Sequence, residues 1–155
     1  MITPAPASGI LEGSAHLFPV RVYFEDTDMG GIVYHANYLR FMERARSDLL
    51  RLIGIDQRAA FENGTGVYIV AGVDIRYRAS ARLDDDLLIE TRPLSIRAAS
   101  VTLQQTIRHG NRLIVEAEVR VGFTMLDGRP QRQPRDWVSR FSALQDKALL
   151  AGRGL

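Results

Sequence analysis

The sequence predicts an α+β domain in which a single long helix covers one face of an antiparallel sheet. Three observations carry the prediction. One long segment has apolar residues at helical spacing, several later segments alternate apolar and polar residues with a period of two, and no helix-length pattern recurs between those later segments. Connections that short cannot make parallel crossovers, so the strands pair antiparallel. The 155 residues, 46% hydrophobic and 25% charged, suffice for one domain that buries its own core.

Residues 1–15 are rich in Pro, Ala, Ser and Gly, cannot offset their ordering entropy by burial, and are expected to form a flexible tail. From Pro19, Val20, Val22 and Phe24 alternate with Arg21, Tyr23 and Glu25, the period of a half-buried first strand. Two aspartates and the pair Gly30, Gly31 then break regular structure and predict a tight, exposed loop. Tyr38, Phe41, Met42, Ala45, Leu49, Leu52 and Ile53 trace one wide stripe of a helix about 24 Å long, with Asn37 as its expected N-cap and Gly54 as its stop. Arg40, Glu43, Arg44, Arg46 and Asp48 are expected on the remaining faces.

Residues 56–63 read as a short helical turn. Val67 to Tyr77, Leu87 to Ile96, Val101 to Arg108 and Leu113 to Met125 read as strands, with Val67, Ile69, Ala71, Val73, Ile75 and Tyr77 sharing one face of the first of these. Gly110 and Asn111 supply a hairpin turn, and Pro93 marks a bulge or an edge. The expected organisation is one domain over 16–145 and a C-terminal tail over 146–155, with a short, fraying helix from about Leu144.

Twenty basic residues against eighteen acidic leave a formal charge of +2, and no block of five like charges occurs, so nucleic acid is not an expected partner. The absence of cysteine excludes disulfides, thiolate metal sites and a cysteine nucleophile, and suits a reducing compartment. No metal site is expected. The opening residues lack the basic and apolar regions of a secretion signal, and charges interrupt every apolar run before it reaches bilayer-spanning length. A cytoplasmic location and no membrane span are expected.

The informative segment runs from Glu25 to Asn37, E-D-T-D-M-G-G-I-V-Y-H-A-N, and places carboxylates, glycines and a histidine just before a helix. One reading is structural: Asp and Asn cap turns, the glycines supply positive φ, and His35 is a neutral hydrogen-bonded side chain. The other is chemical. A helix N-terminus offers unpaired N–H donors and partial positive charge to a developing oxyanion, and an ionised Asp28 beside it can attack a thioester carbonyl or deprotonate water. The residues alone leave both open.

The stretch PVRVYFEDTDMGGIVYHANYLRFMERARSDLL, from Pro19 to Leu50, resembles the hotdog-fold thioesterases of the 4-hydroxybenzoyl-CoA thioesterase type, and within them the Tol-Pal-associated acyl-CoA thioesterases. The string ARLDD, starting at Ala81, is similar to a recurring family string. The resemblance implies a five-stranded antiparallel sheet wrapped around the long helix, pairing into dimers and often tetramers, and active sites between protomers. It implies an acyl-CoA thioesterase acting on short aliphatic or aromatic acyl groups. Asp28 matches the family's catalytic carboxylate, as nucleophile or general base. The backbone amide of His35 matches the group that polarises the carbonyl, and the His35 side chain is a further candidate. One departure stands out: Phe24 replaces the tyrosine common in that branch, with Tyr23 or Tyr34 as substitutes for its phenol.

Coenzyme A is here part of the substrate, and no separate cofactor is expected. Its phosphates suit arginine. Arg76, Arg78, Arg82, Arg97, Arg129, Arg132 and Arg135 are candidates, and positional similarity to the family selects Arg97 and Arg132. Acyl carrier protein presents the same phosphopantetheine arm and is an alternative carrier. Two rival functions fit the same residues: a hotdog dehydratase or hydratase, which would accumulate an enoyl or hydrated product rather than free thiol, and a non-catalytic acyl-CoA or acyl-carrier-protein binding scaffold. Asp26 and Asp28 as a magnesium-binding D-x-D pair are disfavoured, since the chain lacks the alternating strand and helix units of such enzymes.

Overall fold

The structure, a computed structural model, describes the backbone of residues 1–152 and the side chains of residues 1–147. Six strands form one antiparallel sheet: β1 (Ile10–Glu12), β2 (Ala15–Arg21), β3 (Val67–Tyr77), β4 (Asp86–Ile96), β5 (Ser100–His109) and β6 (Arg112–Thr124), in the order β1-β2-β4-β5-β6-β3. Helices α1 (Asn37–Leu52), α2 (Gln57–Glu62) and α3 (Arg135–Gly152) complete the domain. Five strands match the expected sheet; the sixth, β1, lies inside the expected tail of residues 1–15 and pairs with β2.

The stripe on α1 is buried as its spacing demands from Tyr38 to Leu49, while at its C-terminal end Leu52 is exposed and Ile53 only partly buried. Tyr38, Phe41, Met42, Ala45 and Leu49 join Val20, Val22, Ile89, Val101, Ile107 and Val119 in one core. Helix α1 ends where Gly54 takes φ 83°, the left-handed conformation that costs a residue with a Cβ. Its start differs from expectation: Ala36 is the N-cap and makes no side-chain cap bond, while Asn37, the first helical residue, donates from Nδ2 to the Asp26 carbonyl.

The first strand ends at Arg21, and Phe24 turns outward in a 3₁₀ turn (Phe24–Asp26) with 81% of its surface exposed, so the expected alternation stops at Val22. The bulge predicted at Pro93 is present: the β4–β5 register shifts between Pro93 and Ser95, in an inner strand. A second shift, between Val70 and Gly72, breaks the predicted single face of β3, which lies at the sheet edge and is largely exposed. The C-terminal helix begins well before Leu144. Helix α3 packs Trp137 and Phe141 around Tyr68 with Phe123, and Gln145 donates to the Leu94 carbonyl. Burial raises the Tyr68 phenol pKa, and its hydroxyl donates to Gln133. Of the expected C-terminal tail, residues 146–152 continue α3, and residues 153–155 lie outside the described residues.

Asp48 and Arg46, expected on outer faces of α1, are both buried. Asp48 Oδ2 lies 2.7 Å from His16 Nε2 and accepts from the Gly9 N–H at 2.8 Å, and Oδ1 accepts from the Ser8 hydroxyl at 2.8 Å. A Cβ at Gly9 would stand 2.2 Å from the Leu17 carbonyl oxygen, so only glycine lets this segment reach Asp48. Burial pushes the Asp48 carboxyl upward, but the bonds from His16, Ser8 and Gly9 outweigh it and leave the pKa below the ordinary value. A lowered carboxyl pKa contributes stability in full above the unfolded value of about 3.9 and loses it as pH falls through the lower folded value. Urea denaturation between about pH 5 and pH 2 is therefore expected to show stability falling more steeply in wild type than in Asp48→Asn; parallel curves would remove Asp48 from acid unfolding.

Candidate active site

The segment from Thr27 to Val33 folds back on itself, closed by an isolated bridge between those two residues. The Asp28 N–H donates to the Ile32 carbonyl at 2.9 Å and the Gly31 N–H to the Asp28 carbonyl at 3.0 Å. Gly30 donates its N–H to Asp28 Oδ1 at 2.8 Å, and a Cβ at Gly30 would stand only 3.0 Å from that oxygen. The carboxylate is exposed and held by one oxygen, and Oδ2 accepts no hydrogen bond among the described residues. An anchored carboxylate with one free oxygen is what a nucleophile or base requires.

Asp26, two residues earlier, does different work. It is buried, its Oδ2 accepts from the Tyr23 N–H at 2.8 Å, and its carbonyl accepts from both the Tyr34 N–H and Asn37 Nδ2, each at 2.9 Å. Val33 donates to the Ala81 carbonyl at 2.9 Å, and the Ala81 N–H donates to the Tyr38 hydroxyl at 3.0 Å. Burial raises the Tyr38 pKa, and the Ala81 bond opposes it. The family-like string at Ala81 thus fastens both the Asp28 loop and the first turn of α1, and the loop cannot drift from the helix end.

His35 sits at that end. Its carbonyl accepts from the Tyr77 hydroxyl at 3.2 Å, its ring lies 4.6 Å from the Tyr34 ring and 6.2 Å from the Tyr77 ring, and its N–H meets no acceptor among the described residues. An unpaired N–H at a helix start is a donor for an oxyanion. Tyr77, on β3, was not singled out by the sequence, because pairing across forty-two positions leaves no local signal. Of the two substitutes for the phenol missing at Phe24, Tyr34 is the one packed on His35, and Tyr23 contributes its backbone N–H to Asp26.

The arginines sort by partner. Arg76 pairs with Asp74 at 2.7 Å, Arg78 with Glu116 at 2.6 Å and Arg129 with Asp127 at 2.7 Å, so their charges are locally compensated. Arg97, Arg132 and Arg135 make no ion pair among the described residues. Buried Gln133 ties the backbone at Arg97 to the segment that carries Arg132: its Nε2 donates to the Arg97 carbonyl and its N–H to the Ala98 carbonyl, each at 2.8 Å, and Arg132 precedes it directly. Ala98, Arg132, Pro134 and Arg135 line one open groove. Arg82 stands elsewhere, with Nη1 4.0 Å from where a Gly31 Cβ would lie.

Residues 22–148 match the thioesterase-like superfamily. The chain belongs to that superfamily. Among its relatives, the acyl-CoA thioester hydrolase YbgC of Escherichia coli is 42% identical over 126 residues, covering 80% of this chain and 93% of the relative. The acyl-CoA thioesterase YbgC of Haemophilus influenzae is 36% identical over 129 residues, covering 83% and 95%. A probable thioesterase from Bartonella henselae superposes with a TM-score of 0.73 at 35% identity, covering 77% of this chain and 99% of that one. The 4-hydroxybenzoyl-CoA thioesterase of Pseudomonas sp. strain CBS-3 shares the fold at TM-score 0.75 and 24% identity, covering 81% and 98%. Thioesterase-like chains of this kind have the hotdog architecture described above, and no helix among the described residues is long and apolar enough to cross a membrane.

Proposed function

We propose that this thioesterase-like chain hydrolyses acyl-CoA thioesters, with Asp28 as the reacting carboxylate and the His35 N–H as the donor to the carbonyl oxygen. The observation that carries the proposal is the Asp28 carboxylate, fixed through one oxygen and open at the other, on a loop fastened to an uncapped helix start. As nucleophile, Asp28 Oδ2 attacks the thioester carbon, the C–S bond breaks to release CoA thiolate, and water then hydrolyses the mixed anhydride. As general base, Asp28 takes a proton from the water that attacks. Both routes build negative charge on the carbonyl oxygen, where the His35 N–H stabilises it. The His35 ring, held by Tyr34 and Tyr77, is a second group able to orient water.

Arg97 and Arg132 bind the CoA phosphates, and no cofactor beyond the substrate is needed. Arg132→Ala is expected to raise KM for acyl-CoA about tenfold with kcat little changed, because removal of one charge-assisted contact far from the thioester costs ground state and transition state alike. Steady-state kinetics decide; a fall in kcat at unchanged KM would place Arg132 elsewhere in the mechanism. Acyl carrier protein, presenting the same arm, is an alternative carrier.

Strand β3 is an eleven-residue sheet edge with Ile69, Val70, Val73 and Tyr77 each 40–47% exposed, the kind of edge that a second copy covers. Antiparallel pairing of two β3 strands about their middle sets the Tyr77 end of one, with His35 beside it, against the Ile69 end of the other. The active site is then shared between two protomers, in a dimer or a tetramer of dimers' kind, and light scattering at assay concentration checks the pairing. By the same proposal the enzyme is cytoplasmic and, by the resemblance of Pro19 to Leu50, belongs to the Tol-Pal-associated branch. The test of the activity is free-thiol release from short aliphatic, long aliphatic and 4-hydroxybenzoyl CoA esters. Release supports hydrolysis, an enoyl product favours the dehydratase, and binding without turnover favours the scaffold.

A further inference from the structure

Between α1 and the sheet lies a cavity of about 120 Å³ lined by Leu50, Ile69, Val70 and Leu103, with Arg46 and Glu43 on its wall. It is smaller than the ~150 Å³ cavity that takes up a benzene ring. Arg46 is the unusual member. Only 8% of it is exposed, and of its five N–H donors one meets Gln105 Oε1 at 2.9 Å and one meets Glu43; the other three find no acceptor among the described residues. Gln105, fully buried, is itself fixed by donating Nε2 to the Met42 carbonyl at 3.1 Å and to the Thr91 hydroxyl at 2.9 Å. The guanidinium is therefore held in place with donors to spare at a wall whose other polar members are Glu43, Ser47, Gln57 and Tyr68. Beside it Glu43, whose side chain is 60% exposed, has a second carboxylate oxygen that accepts no bond among the described residues.

The smallest organic group that both accepts from a cation and donates to a carboxylate is a hydroxyl. A bare alkyl chain leaves the Arg46 donors unsatisfied as it displaces water, and a carboxylate competes with Glu43. We propose that this cavity selects short acyl groups bearing a hydroxyl, with Arg46 and Glu43 as specificity-determining residues; the inference rests on the thioesterase reading above. Arg46 lies nine residues beyond Asn37, about 13 Å along α1, too far for a short acyl group attacked by Asp28 of the same chain. The antiparallel β3 pairing brings the partner's catalytic loop to this end of the cavity, so selection by one protomer serves chemistry by the other.

The test compares 3-hydroxybutanoyl-CoA with 3-methylbutanoyl-CoA, which differ by a hydroxyl in place of a methyl. Wild type is expected to favour the hydroxyacyl ester in kcat/KM by about tenfold or more, the size of a hydrogen bond to a charged group, and Arg46→Met to bring the ratio near one. Should Arg46→Met fail to fold, Glu43→Gln, at an exposed position, carries the comparison and is expected to lower the same ratio. Mixed dimers of Asp28→Asn and Arg46→Met chains are expected to regain the hydroxyacyl preference that neither parent has; mixed dimers without it would overturn the sharing across protomers. Hydrolysis of both esters by wild type without preference would overturn the inference and leave the thioesterase reading standing. No hydrolysis of any acyl-CoA would overturn both.

Discussion

Asp28→Asn is expected to lower kcat for thiol release from acyl-CoA by at least about a hundredfold, the range in which a lost general base or nucleophile falls. The substitution keeps the shape of the side chain, and an amide oxygen can still accept from the Gly30 N–H, so the turn that holds the residue survives. Because the position is exposed and the cost of the change is confined to the reacting oxygen, thermal stability should stay within about 0.5 kcal/mol of wild type. KM should move little, since Asp28 is asked to act on the transition state and not on the bound CoA. Asp26→Asn supplies the internal comparison. It removes the same charge from a buried carboxylate whose partner is the Tyr23 N–H, so it should cost stability while any loss of rate follows from loosening of the loop. Equal kcat for wild type and Asp28→Asn would remove Asp28 from the mechanism, whatever the activity of the protein.

The contrast between these two aspartates shows what the sequence makes legible. The composition of the loop, the stripe from Tyr38 to Leu49, the stop at Gly54, the Gly110–Asn111 turn and the bulge at Pro93 are local matters, and each appears in the structure where the residues put it. Resemblance to a family, and not spacing, singled out Asp28 over Asp26 and chose Arg97 and Arg132 among the arginines. The structure does not separate them from Arg135: all three lack an ion pair among the described residues, while Arg76, Arg78 and Arg129 have carboxylate partners. What escaped the sequence depends on contacts between distant residues. Strand β1 forms from a stretch of low burial potential because β2 offers it an edge. Arg46 and Asp48 look like solvent-facing helix residues until Gln105 and His16 are set opposite them. Phe24 looks like the third inward residue of a strand that in fact ends at Arg21.

Gln105→Met is expected to destabilise the fold by about 3 to 5 kcal/mol, a larger cost than its conservative shape suggests. Gln105 lies on an inner strand with no exposed surface and ties β5 to two other elements: to α1 through Arg46 and the Met42 carbonyl, and to β4 through Thr91. Methionine has nearly the same length and fills the same space, so packing alone predicts little change. The loss comes from polarity. A buried guanidinium is left with one fewer acceptor, and the Met42 carbonyl and Thr91 hydroxyl lose their shared donor, where burial makes an unmet bond expensive. For a chain of this size the melting temperature should drop by roughly 6 to 20 °C. Ile107→Val, at another position of β5 without exposed surface, provides the scale for a change of packing alone and should cost only about 0.5 to 1.5 kcal/mol. If Gln105→Met proves no more costly than Ile107→Val, the polar network does not fasten α1 to the sheet, and Arg46 must owe its fixed position to Glu43 and the surrounding apolar wall. If it costs several times more, the same bonds that hold the helix down also aim the guanidinium at the cavity, and substrate choice and stability share one set of contacts.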